Sequence, residues 1–237
     1  MQAVKKMLPV YALSLLLVLF SSMYASQGVT ALSDTMPVSA LIDRPTVVLD
    51  PGHGGEDGGA VSPNGVHESD LNLAIGLRTR DLLRFLGIQV VMTRETDTSI
   101  HSPEAGTITE KKVSDLKNRV RIVSESGGAV LVSIHQNMFA QSKYSGTQVF
   151  YADTDGSREL AETLQAQFAA KLDPSNHRKA KLCENVYLLN QITCPGILVE
   201  CGFLSNPREE SLLQTEVYQK KLAAVLAAIL STAFPQL

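Results

Sequence analysis

The chain has no surplus of basic charge. Its 237 residues carry 21 Lys and Arg against 24 Asp and Glu, a formal charge of −3, and removing residues 1–26 takes Lys5 and Lys6 but no acid and leaves −5. Nucleic-acid binding relies on cationic side chains that neutralise phosphates, so no nucleic-acid partner is expected. Cysteine is scarce as well. Cys183, Cys194 and Cys201 are an odd set with no C-x-x-C pair, which argues against a thiolate zinc site and allows at most one internal disulfide. Cys201 reads as a small buried hydrophobe. Neither G-x-x-x-x-G-K-[ST] nor a G-x-G-x-x-G opening into a helix is present, so the Gly-rich segment near residue 55 is not a phosphate loop. Internal repeats are absent.

Long apolar runs are missing too, with one exception. Lys5 and Lys6 precede Leu8–Phe20, which has the length of a signal-peptide core and is short for a spanning helix. Residues 1–26 therefore read as a signal peptide or membrane anchor, and the protein is expected to be exported and extracytoplasmic. Membrane contact is expected only through this segment. The small residues at Ser21–Ser26 lack a clean A-x-A pattern, so cleavage and retention both stay open. Residues 27–44 read as a linker and 45–237 as one catalytic domain, a length suited to a single core.

Within that domain strands and helices alternate. The short β-branched runs Thr46–Leu49, Ile88–Met92, Ala129–His135, Gly146–Tyr151, Val186–Leu189 and Gly196–Cys201 read as strands. Apolar periodicity predicts helices over Glu68–Phe85, Thr109–Ser126, Ser157–Leu172 and Val217–Ala233, with a short one started by Asn206-Pro207. The predicted class is α/β, a mainly parallel central sheet with helices on both faces.

Three of the apolar runs end in groups that bind metals or move protons: His53, His135 and Glu200. Sites in such sheets collect outside the carboxyl ends of the strands, so these residues can meet in one crevice. Asp50-Pro-Gly-His-Gly-Gly-Glu-Asp-Gly-Gly59 has five glycines in ten residues, which permits φ > 0 and close approach of backbone to an ion or substrate. Glu68, in the first turn of the next helix, adds a carboxylate to the two imidazoles. Two His and one Glu with an open fourth position form a ligand set of catalytic zinc hydrolases. His67 competes with Glu68 for that role, but consecutive helix residues point about 100° apart, so one of the two faces the site. Glu200 ends an apolar run, and desolvation there should raise its pKa and suit it to proton transfer. Ser133 has no adjacent base, which argues against a serine nucleophile.

Val48-Leu-Asp-Pro-Gly-His-Gly-Gly55, Gly65-x-x-Glu68-x-x-x-Asn-Leu73, Thr93-Arg94, Ser133-Ile-His135-x-Asn137 and Val199-Glu200-x-Gly-Phe-Leu-Ser-Asn206 closely resemble motifs of the zinc-dependent N-acetylmuramoyl-L-alanine amidases of bacterial cell-wall turnover. The resemblance covers roughly residues 45–235. It implies that His53, Glu68 and His135 bind Zn²⁺, that Glu200 is the catalytic acid/base, and that the substrate is peptidoglycan, cut between the lactyl group of N-acetylmuramic acid and L-alanine. Gln136 and Met138 stand where that family more often has small residues. Some of its members carry a long occluding helix after the second His motif, and the short Met138–Ser145 connection has no room for one. Control is therefore expected from location, zinc supply or an exported activating partner able to order the loop at Gly52–Gly59. The compact build resembles the germination-specific members, which with a deacetylase make muramic δ-lactam in spore cortex. Another exported zinc peptidase or deacetylase, or a wall-binding protein without catalysis, are the alternatives.

Overall fold

The computed structural model describes residues 46–127 and 130–233. The targeting segment and linker assigned to residues 1–44 lie outside them. The elements run β1 (Val47–Pro51), α1 (Glu68–Phe85), β2 (Val90–Met92), α2 (Ile108–Glu125), β3 (Val130–Asn137), β4 (Gln148–Tyr151), α3 (Ser157–Lys171), β5 (Lys181–Leu182), α4 (Tyr187–Gln191), β6 (Gly196–Phe203), α5 (Pro207–Leu213) and α6 (Glu216–Thr232). The strands form one sheet in the order β2-β1-β3-β6-β4-β5. All neighbours are parallel except β4, which runs antiparallel to β6.

Alternation along the central strands sorts the core into two layers. Val47 and Leu49 of β1, Val132 and Ile134 of β3, and Val199 and Cys201 of β6 face α1, α3 and α6, with Ile75, Phe168 and Leu226 packed against them. Val48, Leu131 and Leu198 point the other way, toward Val123 of α2 and Leu188 and Leu189 of α4. Helices on both faces leave strands with no watered side, which is why these runs are continuously apolar. Cys201 is fully buried as expected, and all three cysteines are free thiols.

Local chemistry sets the helix starts. Thr107 and Glu110 form a reciprocal capping box at α2, so that helix begins one residue earlier than Thr109, and Asn206 accepts from the amides of Arg208 and Glu209 ahead of Pro207. The strand predicted at Val186–Leu189 is wrong. Val186 caps helix α4, and Leu188 and Leu189 are both buried under the sheet. A four-residue apolar run does not distinguish a strand from one buried helical turn. The edge strand there is the exposed pair Lys181–Leu182, whose polarity hid it.

Candidate active site

Three parallel strands deliver the site to one end of the sheet. His135 of β3 and Glu200 of β6 are register partners, and Asp50 of β1 pairs with Ser133. All four side chains lie on the α2–α4 face and line a cavity of about 330 Å³ together with His53.

The carboxylate of Glu68 sits between two imidazoles. Its Oε1 lies 2.9 Å from His135 Nδ1 and its Oε2 3.4 Å from His53 Nε2, while the two rings meet edge to face at 5.1 Å. One ligand atom from each of His53, Glu68 and His135 lies within 4.8 Å of the others, a grouping able to hold a metal ion. His67 is exposed at the helix N-cap, so Glu68 takes the inward position. The start of α1 is fixed against the Gly-rich loop: the amides of Glu68 and Ser69 donate to Ala60 O and Gly58 O, and Ala60 N donates back to Glu68 Oε2 at 2.9 Å.

Glycines make room for the cluster. A Cβ on Gly59, which has φ +70°, would lie 2.7 Å from both Glu68 Oε2 and His53 Cδ2, and one on Gly52 would lie 2.2 Å from His135 Cε1. His53 itself has φ 63°, a left-handed conformation that costs a residue with a Cβ on the order of 1 kcal/mol. Two buried arginines hold this stretch by its carbonyls. Arg119 donates to Pro51 O and His53 O, and Arg94 donates to Pro51 O and Gly52 O. Arg119 is neutralised by Asp50 and Asp115, and Asp50 also accepts from Thr93 and Ser133. Burial works against the Asp50 charge, but Arg119 and these hydroxyls outweigh it and lower its pKa.

The electrostatics favour a cation among the three ligand groups. Burial would depress the His53 pKa, yet hydrogen bonds and charge from Glu68 and Asp57 raise it to about 9. Burial would raise that of Glu68, yet both imidazoles hold its carboxyl well below the ordinary range. Asp57 Oδ2 lies 3.0 Å from His53 Nδ1; a proton kept there leaves Nε2 as the free donor, the usual carboxylate–histidine–metal arrangement. Glu200 behaves in the opposite way. Desolvation raises its pKa to about 7, with His135 opposing and Glu68 adding to the rise, and its Oε2 is buried without a hydrogen-bond partner.

The model of the N-acetylmuramoyl-L-alanine amidase family matches residues 47–231. The chain belongs to this family. It is 39% identical over 191 residues to the germination-specific N-acetylmuramoyl-L-alanine amidase of Bacillus subtilis (strain 168), covering 80% of this chain and 78% of that protein. Among solved structures it resembles the CwlD amidase of Clostridioides difficile in complex with the GerS lipoprotein, at 41% identity and TM-score 0.77, over 80% of this chain and 98% of that one. An N-acetylmuramoyl-L-alanine amidase of Clostridium difficile 630 matches at 34% identity and TM-score 0.70, over 80% and 96% of the two chains. The chain is thus a peptidoglycan amidase.

The amidase fold brings together the four residues singled out from sequence. Sequence reasoning gave no role to Asp57, Arg119 or Asn72, whose Nδ2 donates to Gly52 O and Glu68 Oε1. Asp57 stands four residues after His53 and Asn72 four after Glu68, a spacing that could have flagged Asn72 on the helix. Nothing local marks Arg119, which reaches the loop across more than sixty residues.

Proposed function

We propose that His53, Glu68 and His135 hold Zn²⁺ and that Glu200 moves the proton in hydrolysis of the amide between the lactyl group and L-alanine. The observation that carries this reading is the Glu68 carboxylate bracketed by two imidazoles, beside a cavity containing an unpartnered Glu200 oxygen. The donor set fits zinc, with two nitrogens, one carboxylate and a fourth position toward the cavity. A bound Zn²⁺ supplies Lewis acidity, polarising the amide carbonyl and acidifying water near neutral pH.

The chain's own groups do the rest. Asp57 fixes the His53 tautomer, and Gln136 N and Asn72 Nδ2 orient Glu68 through Oε1. Glu200, ionised above about pH 7, takes a proton from the attacking water and returns it to the leaving alanine nitrogen, which must depart as a neutral amine. Glu200 ends with its charge restored.

The relatives support a role in spore cortex, where cleavage would expose the lactyl carboxyl for muramic δ-lactam formation, and an extracytoplasmic location; the Lys-Lys and apolar run within residues 1–26 is the segment proposed to direct export. The assembly of the CwlD amidase with a lipoprotein supports an exported activating partner. The test is digestion of vegetative and cortex peptidoglycan with zinc-loaded protein and mass analysis of the products. New N-terminal L-alanine on released stem peptides is expected. Cleavage at a peptide bond inside the stem, or loss of acetate, would instead indicate a peptidase or deacetylase.

A further inference from the structure

The cavity contains a third imidazole that the metal cluster does not use. His101 lines it alongside His53 and His135, within the irregular segment between β2 and α2. That segment is fastened to α2 on both sides of the histidine. Ile100 N donates to Asp115 Oδ1 at 2.7 Å, Ser102 N to Ser114 Oγ at 2.9 Å, and Asn118 Nδ2 to Ile100 O at 2.7 Å.

The ring is also set in one tautomer. His101 Nδ1 lies 2.8 Å from Ser99 Oγ, and the Ser99 hydroxyl donates to Asp115 Oδ1 at 3.0 Å. A hydroxyl has one proton to give, so Ser99 accepts from His101 Nδ1–H. In the neutral imidazole Nε2 is then the lone-pair nitrogen, and no hydrogen bond to it is found among the described residues. Asp115 in turn pairs with Arg119, which binds the His53 carbonyl. One scaffold therefore positions both the ligand loop and His101.

Beyond the cluster the cavity is lined by apolar Ile108 and Leu116 of α2 and by Val186 and Leu188, together with the ion-paired Glu56, Lys111 and Lys112. Hydroxyls of a sugar chain set against the four apolar side chains would be desolvated without partners. Alanine-sized side chains and a peptide backbone fit them, and a lone acceptor matches a single N–H donor. We infer that this side of the cavity takes the stem peptide, and that His101 is a specificity-determining contact whose Nε2 accepts a hydrogen bond from a peptide N–H beyond the first alanine. This rests on the amidase reading of the site.

The experiment compares wild type, His101→Ala and His101→Gln, all zinc-loaded, on N-acetylmuramoyl-L-alanine, N-acetylmuramoyl-tripeptide and the same tripeptide carrying an added N-acetylglucosamine. Where turnover of a small compound is too slow, its inhibition constant against peptidoglycan replaces KM. His101→Ala should raise KM for both tripeptides about fivefold, the worth of one neutral hydrogen bond, with kcat and zinc content kept. Its kinetics on N-acetylmuramoyl-L-alanine should not change, and His101→Gln, which keeps an acceptor, should recover most of the loss. Equal kinetics for all three proteins would overturn the inference. So would a loss independent of peptide length that grows with the added sugar, which would place the glycan there. Failure of the wild type to cleave or bind any muramoyl peptide would instead overturn the amidase reading, before any variant is compared.

Discussion

Gly52 lacks a side chain because the His135 imidazole crowds the space where one would be: a Cβ built on Gly52 lies 2.2 Å from Cε1 and 2.3 Å from Nε2 of that ring. The first strand's loop and the third strand's ligand are therefore in direct contact, and the glycine is a requirement of the cluster. Gly52→Ala should push His135 off Glu68 while leaving the sheet intact. Zinc affinity is expected to fall about 10- to 100-fold, the usual cost of disturbing a ligand's support, as measured by chelator competition. Wild-type affinity in that variant would mean that His135 is not a ligand.

Removing the ligand itself is the stronger form. His135→Ala leaves two donors where a catalytic zinc site needs three, so the purified variant should contain little metal by elemental analysis. Stoichiometric zinc with retained activity would refute the assignment.

Glu200→Gln preserves size and hydrogen-bonding capacity and deletes the proton carrier. Turnover should fall about 10²- to 10⁴-fold with zinc content unchanged. In the wild type the same group predicts that kcat/KM rises with pH and levels off above about 7, because Glu200 must be ionised to accept a proton. A rate independent of pH between 5 and 8 would exclude Glu200 as the base.

What could be read in the sequence, and what could not, follows from the range of the interactions. His53, His135 and Glu200 were visible because each ends an apolar run, and the register of β3 with β6 turns that pattern into adjacency. Glu68 needed its position at a helix start to stand out from His67. Arg119 and Asp57 act through contacts made only after the loop folds, and nothing in their local pattern distinguishes them from surface charges. Helix α4 was misread because its signal is one apolar turn, shorter than the period that would identify it.

Metal binding should be linked to protons through His53. Its folded pKa, raised from 6.5 to about 9 by Glu68 and Asp57, means that the metal-free protein is stabilised by the protonated ring below pH 6.5 and loses that contribution as pH rises toward 9. Zinc must displace the same proton. Apparent zinc affinity should therefore climb between about pH 6.5 and 9, and calorimetry in buffers of different ionisation enthalpy should detect one proton released near pH 7. A pH-independent affinity over that range would show that His53 is already neutral in the metal-free protein.

Arg119 offers a test of the scaffold apart from the metal. It is nearly fully buried, neutralises Asp50 at 2.5 Å and Asp115 at 2.6 Å, and holds two carbonyls of the ligand loop. Arg119→Met fills similar volume but strands a buried carboxylate, a change that typically costs about 3–5 kcal/mol. Thr93 and Ser133 still bond Asp50, so the lower end is expected in urea denaturation of the metal-free protein. Adding Asp50→Asn removes the stranded charge, and the double variant should regain part of that loss. Zinc affinity should remain low in both, because His53 has lost the carbonyl anchor that holds its φ of 63°. If the double variant recovered stability and zinc affinity together, Arg119 would matter only as a counter-ion to Asp50, and the left-handed His53 would need no carbonyl anchor.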